Sequence, residues 1–497
     1  MSYSVSSASS GSSSTAVDQL VQQYVQSIST PVYQLQAQQQ TINSQITFYQ
    51  DFQKKLSALQ TQANSLAQIG SLTPLAAKAV TSSDSTIATA TAGNAAVSGT
   101  HTLQVSQLAK YDTLVSGQLT QSGTDISTAT GAGTFTFSVT INGTSTNLNV
   151  SVNAGDTNST VMANMAAAVN NTGIGVTASV VNDTSSTARL VFTSKNSGST
   201  NAISVADVTG TLAQNVGWTS SVISGRTASS ATGAGFVNSS VSSLDANFTL
   251  DGIPIVRGTN SITDVLTGVT LNLAGTQVSG ANPISLSITS DTSSVQTTIQ
   301  NFINAYNTAM TTLQNNLKTD PTTLLRGPFA GDVSFMNLQL SMQNIAMGDV
   351  SSVQSGNPTD LSSIGITLNS DGTLSISNQA TLTSVLTSNP NAVSDLFNSS
   401  DGVAVQLNTL MKQFANAGGV MDQKISGAQD QVTAMNNQIS AMQSSINIQA
   451  EAMRQQFTAY ESMLIQLTNT QNSLNSIWNS MYYSSGSSGS SSSTTGG

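Results

Sequence analysis

Cysteine is absent from the 497 residues of this chain, and histidine occurs once, at position 101. The lack of cysteine excludes disulfides, thiolate nucleophiles and thiolate metal ligands. Any histidine-dependent triad or metal site would depend on His101 alone. That residue lies in a stretch with the apolar pattern of a strand, so we interpret it as an ordinary surface or half-buried side chain.

Charge is scarce as well, since only 7% of residues are charged, against about 25% in an ordinary soluble domain. The 13 Lys and Arg residues face 23 Asp and Glu residues, which gives a net charge of −10. So few basic residues cannot form a stripe that neutralises several phosphates, and we predict no nucleic-acid partner. No run of about 18 apolar residues occurs, so we expect no transmembrane helix. The N-terminus lacks the basic and apolar regions of a secretory signal, so we expect none to be cleaved.

Catalytic motifs are missing too. The acidic residues form no compact pair of the kind that glycoside hydrolysis needs, and no calcium-loop pattern. Gly131 to Gly133 lacks the further glycine or lysine of a phosphate-binding loop and precedes a predicted strand. We therefore predict a protein that is not an enzyme and that uses no metal or cofactor.

Both ends of the chain have the apolar period of helices. Steps of mainly three, four and seven residues predict one helix that ends near Ile28 and a second from Thr30 to about Gly70. A longer C-terminal helix is predicted from Val432 to Met481. We favour an antiparallel coiled coil formed by these two chain ends over the alternative, two core helices of a bundle.

The predicted coiled coil is held together by apolar side chains. Its C-terminal helix carries only Glu451, Arg454 and Glu461 as charges, so we expect shape and apolar register, and not ion pairs, to select the partner. The predicted seam and filament-contact residues are Leu35, Ile42, Ile46, Tyr49, Leu56, Leu59, Met435, Ile439, Met442, Ile446, Met453, Phe457, Tyr460, Leu464, Leu467 and Leu474.

The middle of the chain, from about residue 77 to 291, has the two-residue period of strands. Asn142-Gly143 and Asp251-Gly252 are typical of tight hairpin turns between such strands. Further helical patterns follow at 295–317, 382–397 and 403–414, with a small hairpin from 366 to 376 between the first two. The sequence therefore predicts an α+β multidomain fold with long terminal helices and inserted β-rich domains.

Several segments together resemble one protein family. Phe248 to Arg257, continued by Asn260 to Asp264 and Gly268 to Leu273, closely resembles a motif of the bacterial flagellar filament cap family, also called hook-associated protein 2. Segments 102–109, 364–376 and 453–460, the last together with Leu464 and Leu474, also resemble this family, and 133–205 is similar to a module shared by several flagellar axial proteins. Along the chain, these segments follow the order that the family has. The motif residues that carry the resemblance in the β-rich part are Phe248, Asp251, Gly252, Pro254, Asn260, Asp264 and Gly268.

The resemblance implies an oligomeric cap at the extracellular, distal tip of the flagellar filament, where it retains exported flagellin and promotes its folding and insertion. It also implies legs built from the terminal helices and a head built from the β-domains. The implied partners are other copies in a ring-like homo-oligomer, flagellin, the hook-filament junction proteins and a flagellar export chaperone. Two alternatives remain open: a flagellin-like filament subunit, and a surface adhesin that binds ligands on a host surface.

The sequence also predicts where each domain begins and ends. Both tails are rich in Ser and Gly or Thr and are expected to be disordered in isolation. The predicted segments are 1–42, the N-terminal tail and terminal helix; 43–76, a leg helix; 77–113, the first part of the head plate; 114–231, an inserted β-rich head domain; 232–291, the second part of the plate; 292–431, a helical leg with a small hairpin; 432–483, the C-terminal coiled-coil helix; and 484–497, the second tail.

Overall fold

The computed structural model of the protein describes residues 14–319 and 326–484. The helices in these ranges are α1 (Ser14–Ile28), α2 (Thr30–Leu66), α3 (Asp125–Thr130), α4 (Asn158–Asn170), α5 (Leu212–Asn215), α6 (Ser220–Ser224), α7 (Thr292–Leu317), α8 (Val333–Met347), α9 (Gln379–Ser388), α10 (Pro390–Asn398), α11 (Val403–Ala415) and α12 (Val420–Ser484). Residues 1–13 and 485–497, which make up nearly all of the two predicted tails, lie outside the described residues.

The strands in the same ranges are short and numerous. They are β1 (Lys78–Ser82), β2 (Ala88–Ala92), β3 (Gly99–Gln107), β4 (Tyr111–Val115), β5 (Leu119–Thr120), β6 (Gly133–Ile141), β7 (Thr144–Val152), β8 (Val176–Val181), β9 (Thr187–Ser197), β10 (Ser204–Thr209), β11 (Gly235–Phe236), β12 (Ala246–Leu250), β13 (Ile253–Arg257), β14 (Ser261–Leu266), β15 (Val269–Leu273), β16 (Ile284–Ser290), β17 (Ile366–Leu368) and β18 (Leu374–Ile376). The predicted α+β multidomain fold class is confirmed.

The long helices lie at the chain ends, as predicted. α12 begins at Val420, earlier than the predicted start at Val432. Because Met421 and Ile425 are buried, packing extends the helix through Gly427, where the sequence alone favours a break. With 65 residues and a rise of about 1.5 Å per residue, α12 is about 98 Å long.

The two predicted hairpin turns have the geometry that their dipeptides favour. Asn142 and Gly143 have φ values of 50° and 72°, and Asp251 and Gly252 have 49° and 78°. Positive φ at both central residues defines a type I′ turn, whose twist matches that of the flanking strands. The turns join β6 to β7 and β12 to β13 in antiparallel register.

The chain divides into two compact units. The first consists of Met1–Thr61, Ala305–Gln343 and Leu407–Gly497, and the second of Gln62–Asn304 and Asn344–Gln406. The first unit therefore contains the chain ends and the second contains the β-rich middle.

The first unit has an aromatic core between α2 and α8. The rings of Phe329 and Phe335 are stacked with centroids 3.8 Å apart, and Phe52 lies 5.0 Å from Phe329. Beside this core, Lys424 of α12 donates to Asp332 at the start of α8, with 2.5 Å between Nζ and Oδ2. These contacts attach the first part of α12 to the unit.

The second unit contains five sheets of the described residues, with strand orders β1-β16-β3-β12-β13, β14-β15-β2, β10-β6-β7, β11-β4-β9-β5 and β17-β18, and with β8 also paired to β9. One core lies under α4 and includes Phe137, Phe192 and Trp218. A second core joins the first two sheets and includes Phe248 and Leu271. Alternate residues of the strands enter these cores, as the two-residue period predicts.

Candidate assembly surface

The N-terminal helices pack antiparallel against α12 along an apolar seam. Val32, Ile439 and Ile446 form its buried centre, and Leu35 and Met442 pack against them. The seam residues further along α2 differ in environment, since Ile42 and Ile46 are half-buried whereas Tyr49, Leu56 and Leu59 are buried. On α12, Met435, Met453 and Phe457 are half-buried.

Polar contacts also join this helix pair. Tyr24 Oη donates to Gln449 Oε1 at 3.2 Å, and Gln39 Nε2 donates to Asn436 Oδ1 at 2.6 Å. Arg454 forms an ion pair with Asp18 across the pair, with 3.2 Å between Nη2 and Oδ1. The side chains of this ion pair are 29% and 34% exposed, so it contributes about 0–1 kcal/mol, and the selection of the partner by apolar register stays a prediction.

Beyond this pair, the C-terminal part of α12 is exposed. Every residue from Ser462 to Tyr482 is exposed. Tyr460, Leu464, Leu467 and Leu474, predicted as coiled-coil or filament-contact residues, are therefore not covered by the described N-terminal helices, and their contacts stay a prediction. In the antiparallel pair, the contact between Asp18 and Arg454 places Ser14, the first described residue, opposite about residue 458. The described part of α1 therefore does not extend along α12 beyond that residue.

The exposed part of α12, residues 460–482, is here called the arm. Most of its large apolar residues lie on one side of the helix and continue the steps of three and four of the buried seam, whereas Ile465 lies on the opposite side. Leu464 is 62% exposed, Leu467 65%, Leu474 61% and Trp478 67%. We call this row the arm stripe. No charged residue follows Glu461 in the arm, so an apolar surface of this length has the features of an interaction site.

The motif in the head, in contrast, is occupied by internal contacts. Asp251 accepts from the Thr102 amide at 2.8 Å and contacts His101 Nδ1 at 2.7 Å. The hydrogen bond with His101 is the main reason why the pKa of Asp251 is below its ordinary value. Asn260 bonds both the amide and the carbonyl group of Ala109, at 2.7 Å and 2.9 Å.

The remaining motif residues are also structural. Phe248 is buried, whereas Pro254 is exposed on β13. Asp264 forms a partly exposed ion pair with Arg257 at 3.0 Å. Gly268 has a φ of 72°, and a Cβ there would lie 2.9 Å from the Ala96 amide nitrogen, so the turn requires glycine. The motif thus shapes the sheets and their turns.

A buried ion pair in the head was missed by sequence reasoning. Asp112 is fully buried and accepts from both terminal nitrogens of Arg226, at 2.6 Å and 3.1 Å. It also accepts from the Ile203 amide at 2.7 Å. No local pattern could have indicated this pair, because the two residues are 114 positions apart.

Within the described ranges, no three His, Cys, Asp or Glu side chains are grouped so that they could hold a metal ion. None of the helices described there has an apolar stretch long enough to cross a bilayer.

Three features together are typical of a structural assembly protein: antiparallel chain-end helices, β-rich domains inserted between them, and a long exposed apolar arm. Comparison with known families gives the particular class. Residues 243–469 match the model for the C-terminus of flagellar hook-associated protein 2, and residues 13–112 match the model for its N-terminus. The chain belongs to the flagellar hook-associated protein 2 family.

Individual relatives agree with this assignment. The chain is 31% identical to the A-type flagellar hook-associated protein 2 of Pseudomonas aeruginosa over 416 residues, which are 79% of this chain and 81% of that protein. It is 26% identical to the flagellar hook-associated protein 2 of Escherichia coli, over 87% of this chain and 89% of that protein. The crystal structure of the D1-D2-D3 domains of the Escherichia coli flagellar cap protein aligns with a TM-score of 0.61 and 25% identity, covering 77% of this chain and 99% of that structure.

The family resemblance predicted from the sequence is thus confirmed, as is the role of a flagellar filament cap. The family is one of structural cap proteins, so the chain is not an enzyme. The two alternatives, a filament subunit and an adhesin, are not favoured by these findings.

Proposed function

We propose that several copies of this chain form a ring-like homo-oligomer at the extracellular tip of the flagellum, which retains exported flagellin and promotes its folding and insertion. The chain ends are the legs of this cap and the β-rich middle is its head. The segments bounded from the sequence are its parts, except that the boundaries at 42/43 and 431/432 fall inside the continuous helices α2 and α12. Flagellin, the hook-filament junction proteins and an export chaperone are its proposed partners.

The observation that carries this proposal is the arm. The arm carries no charge after Glu461 and exposes a row of leucines and a tryptophan to water. It is stabilised when another helix covers the row, because burial removes apolar surface from water. Each leucine contributes roughly 1.5–3 kcal/mol when it becomes fully buried. The arm is therefore suited to helix-to-helix contact with neighbouring chains, either cap subunits or flagellin.

The absence of charge defines how such contacts behave. With neither Lys, Arg, Asp nor Glu after Glu461, association through the arm has no electrostatic steering and depends little on ionic strength. A cap that works outside the cell, where salt concentration varies, gains a constant affinity from such a surface.

The test is a strain that lacks this gene, assayed for flagellin in the medium and for plates at filament tips by negative-stain imaging. The strain is complemented with the wild type or with the variant Leu464→Gln/Leu467→Gln/Leu474→Gln, since glutamine keeps helix propensity but removes the apolar row. We expect the wild type to stop the leakage of flagellin and the variant to fail.

The matched control carries three substitutions on the opposite side of the arm, Asn469→Ala, Ser473→Ala and Ser476→Ala. It changes as many residues in the same helix and leaves the stripe intact, so it is expected to rescue filament growth. Rescue by the triple glutamine variant as complete as that by the wild type would contradict the role of the arm. Normal filaments in the deletion strain would contradict the proposed function as a whole.

A further inference from the structure

A second exposed apolar row lies on α8. Phe335, Leu338 and Met342 on one side of this helix are buried in the first unit. On another side, Val333 is 61% exposed, Met336 40%, Leu340 57% and Met347 60%. We call these last four residues the α8 stripe.

The α8 stripe has the spacing of a coiled-coil seam. Its steps are three, four and seven residues, and the seven-residue step is divided into three and four by Gln343. The arm stripe has the same spacing from Leu467 through Leu474 to Trp478, and its seven-residue step is divided by Gln471. Each row is therefore a heptad seam with one glutamine at an otherwise apolar position.

The two rows match in one antiparallel register. When Gln343 is placed opposite Gln471, each of the four α8 stripe residues faces an apolar residue of the arm, and Leu464 lies beyond the end of α8. The resulting layers are Leu340 with Leu474, Met336 with Trp478, Met347 with Leu467, and Val333 with Met481. A shift by one heptad would place each glutamine opposite an apolar side chain and leave its amide without a hydrogen-bonding partner, which is unfavourable in a buried layer.

The arm that fills this seam cannot come from the same chain. Lys424 of α12 touches Asp332 at the start of α8, so positions on both helices can be measured from this contact. Gln471 lies about 70 Å further along α12, at 1.5 Å per residue, whereas Gln343 lies about 17 Å further along α8. Since α12 is one continuous helix from Val420 to Ser484, its arm does not return to α8.

We propose that the α8 stripe binds the arm of a second copy of this chain, antiparallel, with Gln343 opposite Gln471. The inference rests on the proposed function in taking the arm as an assembly surface, and it names the partner of that surface. Neither helix carries a charge in the paired stretch, so no like-charge repulsion opposes the contact. Because α8 and the arm are different surfaces, the contact is heterologous, and its repetition closes a ring if the rotation between copies permits.

Cysteine cross-linking of the purified full-length protein tests the register directly, because the chain has no native cysteine. Leu340→Cys and Leu474→Cys are combined in one chain and oxidised, since facing seam positions lie within disulfide range. We expect covalent dimers and a ladder of higher multimers. A two-fold contact would stop this double variant at dimers, so the ladder distinguishes a heterologous contact from a two-fold one. A mixture of the two single variants is expected to stop at one cross-linked dimer, because each chain then carries one cysteine.

The matched control pairs Leu340→Cys with Leu467→Cys, one heptad or about 10 Å away from the predicted position. We expect at least a tenfold slower cross-linking for this pair. Equal rates for the two pairs would overturn the register. Homodimers of the Leu340→Cys variant alone, or no cross-link in oligomers that sediment like the wild type, would overturn the contact itself.

A second measurement covers the case in which the cysteines weaken association. Gln343→Leu and Gln471→Leu are compared singly and together by sedimentation, at equal protein concentration. Each single variant leaves one glutamine facing leucine and is expected to weaken association about tenfold, whereas the double variant is expected to recover it. Additive effects of the two changes would overturn the pairing.

Both measurements use purified protein, so their failure is distinguishable from failure of the cap role. Loss of the contact together with normal rescue of the deletion strain removes this inference and leaves the proposed function standing.

Discussion

Replacing Asp112 by asparagine should destabilise the β-rich head far more than any surface change. Asp112 is fully buried, its Arg226 partner is 12% exposed, and the guanidinium lies 3.9 Å from the centre of the Phe236 ring. The variant removes the charge that compensates this buried cation. Breaking a buried pair by removing one partner costs about 3–5 kcal/mol, because the remaining charge has no comparable partner.

The magnitude converts into a measurable shift. With a urea dependence of about 2 kcal/mol per molar for a domain of this size, the unfolding midpoint should fall by about 2 M. The chain contains two tryptophans, and Trp218 lies in the head core with its ring 4.6 Å from that of Phe192. In a Trp478→Phe background, fluorescence therefore reports the head alone, which is necessary because a multidomain chain does not unfold in two states.

The control is Asp264→Asn, which removes an ion pair with Arg257 whose side chains are 39% and 61% exposed. Such pairs contribute about 0–1 kcal/mol, so this midpoint should move by less than 0.5 M, a bound of roughly 1 kcal/mol. Replacing both buried partners, as Asp112→Leu/Arg226→Met, should recover part of the loss because no charge is left buried. A shift of Asp112→Asn no larger than that of Asp264→Asn would refute the reasoning.

Three further predictions follow from particular contacts. Asp401 accepts from the Ser351 amide at 2.8 Å, and its hydrogen bonds with Ser351 and Ser352 hold the pKa of Asp401 well below the ordinary value. The ionised carboxylate is therefore favoured in the folded protein. The stability that this contact contributes is complete above an ordinary carboxyl pKa of about 3.9 and is lost only in stronger acid. Hydrogen exchange at pH 4 should therefore show Ser351 protected in the wild type and open in Asp401→Ala. Phe329→Ala should cost the first unit about 3–5 kcal/mol by leaving a cavity beside Phe335, and an unchanged circular-dichroism melt would contradict this. Gly143 has a φ of 72°, so Gly143→Ala should lower head stability by about 1–2 kcal/mol in urea unfolding. Gly427 lies inside α12 with nothing within 4 Å of an added Cβ, so Gly427→Ala should raise helix stability by about 0.5–1 kcal/mol in a thermal melt. Stability changes of the same sign for both variants would contradict this reasoning.

Local chemistry explains which elements could be predicted. The dipeptides Asn142-Gly143 and Asp251-Gly252 favour positive φ by themselves, so the two hairpins follow from residues adjacent in sequence. The helix predicted at 295–317 follows equally well from its apolar period, and α7 confirms it with a start three residues earlier, at Thr292. In each case the deciding interactions lie within one element or one turn.

The C-terminal helix separates what a period can predict from what it cannot. Its heptad steps run from Ile439 to Met481 with little interruption, so the sequence predicts one seam. The structure buries Ile446 and exposes Leu474, because a seam is buried only where a partner helix is present. A period states which side of a helix is apolar, and it contains no information on how far the partner extends.

Of the two candidate assembly surfaces, the arm could be predicted from the sequence and the α8 stripe could not. The arm residues were identified from the sequence, but as part of a pair, and their exposure emerged only from the structure. The α8 stripe was not identified, because α8 is apolar on more than one side and only packing separates the buried Phe335 side from the exposed Leu340 side. The ion pair of Asp112 and Arg226 likewise had no signal in the sequence.

The sequence by itself determined the local features: the turns with positive φ, the period of each helix and strand, and the motif that indicates the family. These depend on residues within a few positions of one another. Only the tertiary structure decided which apolar faces are buried, where the N-terminal partner of α12 ends among the described residues and which distant charges meet. Those outcomes depend on contacts between residues far apart in the chain, whose energies are set by burial, and burial is a property of the folded assembly of elements and not of any one of them.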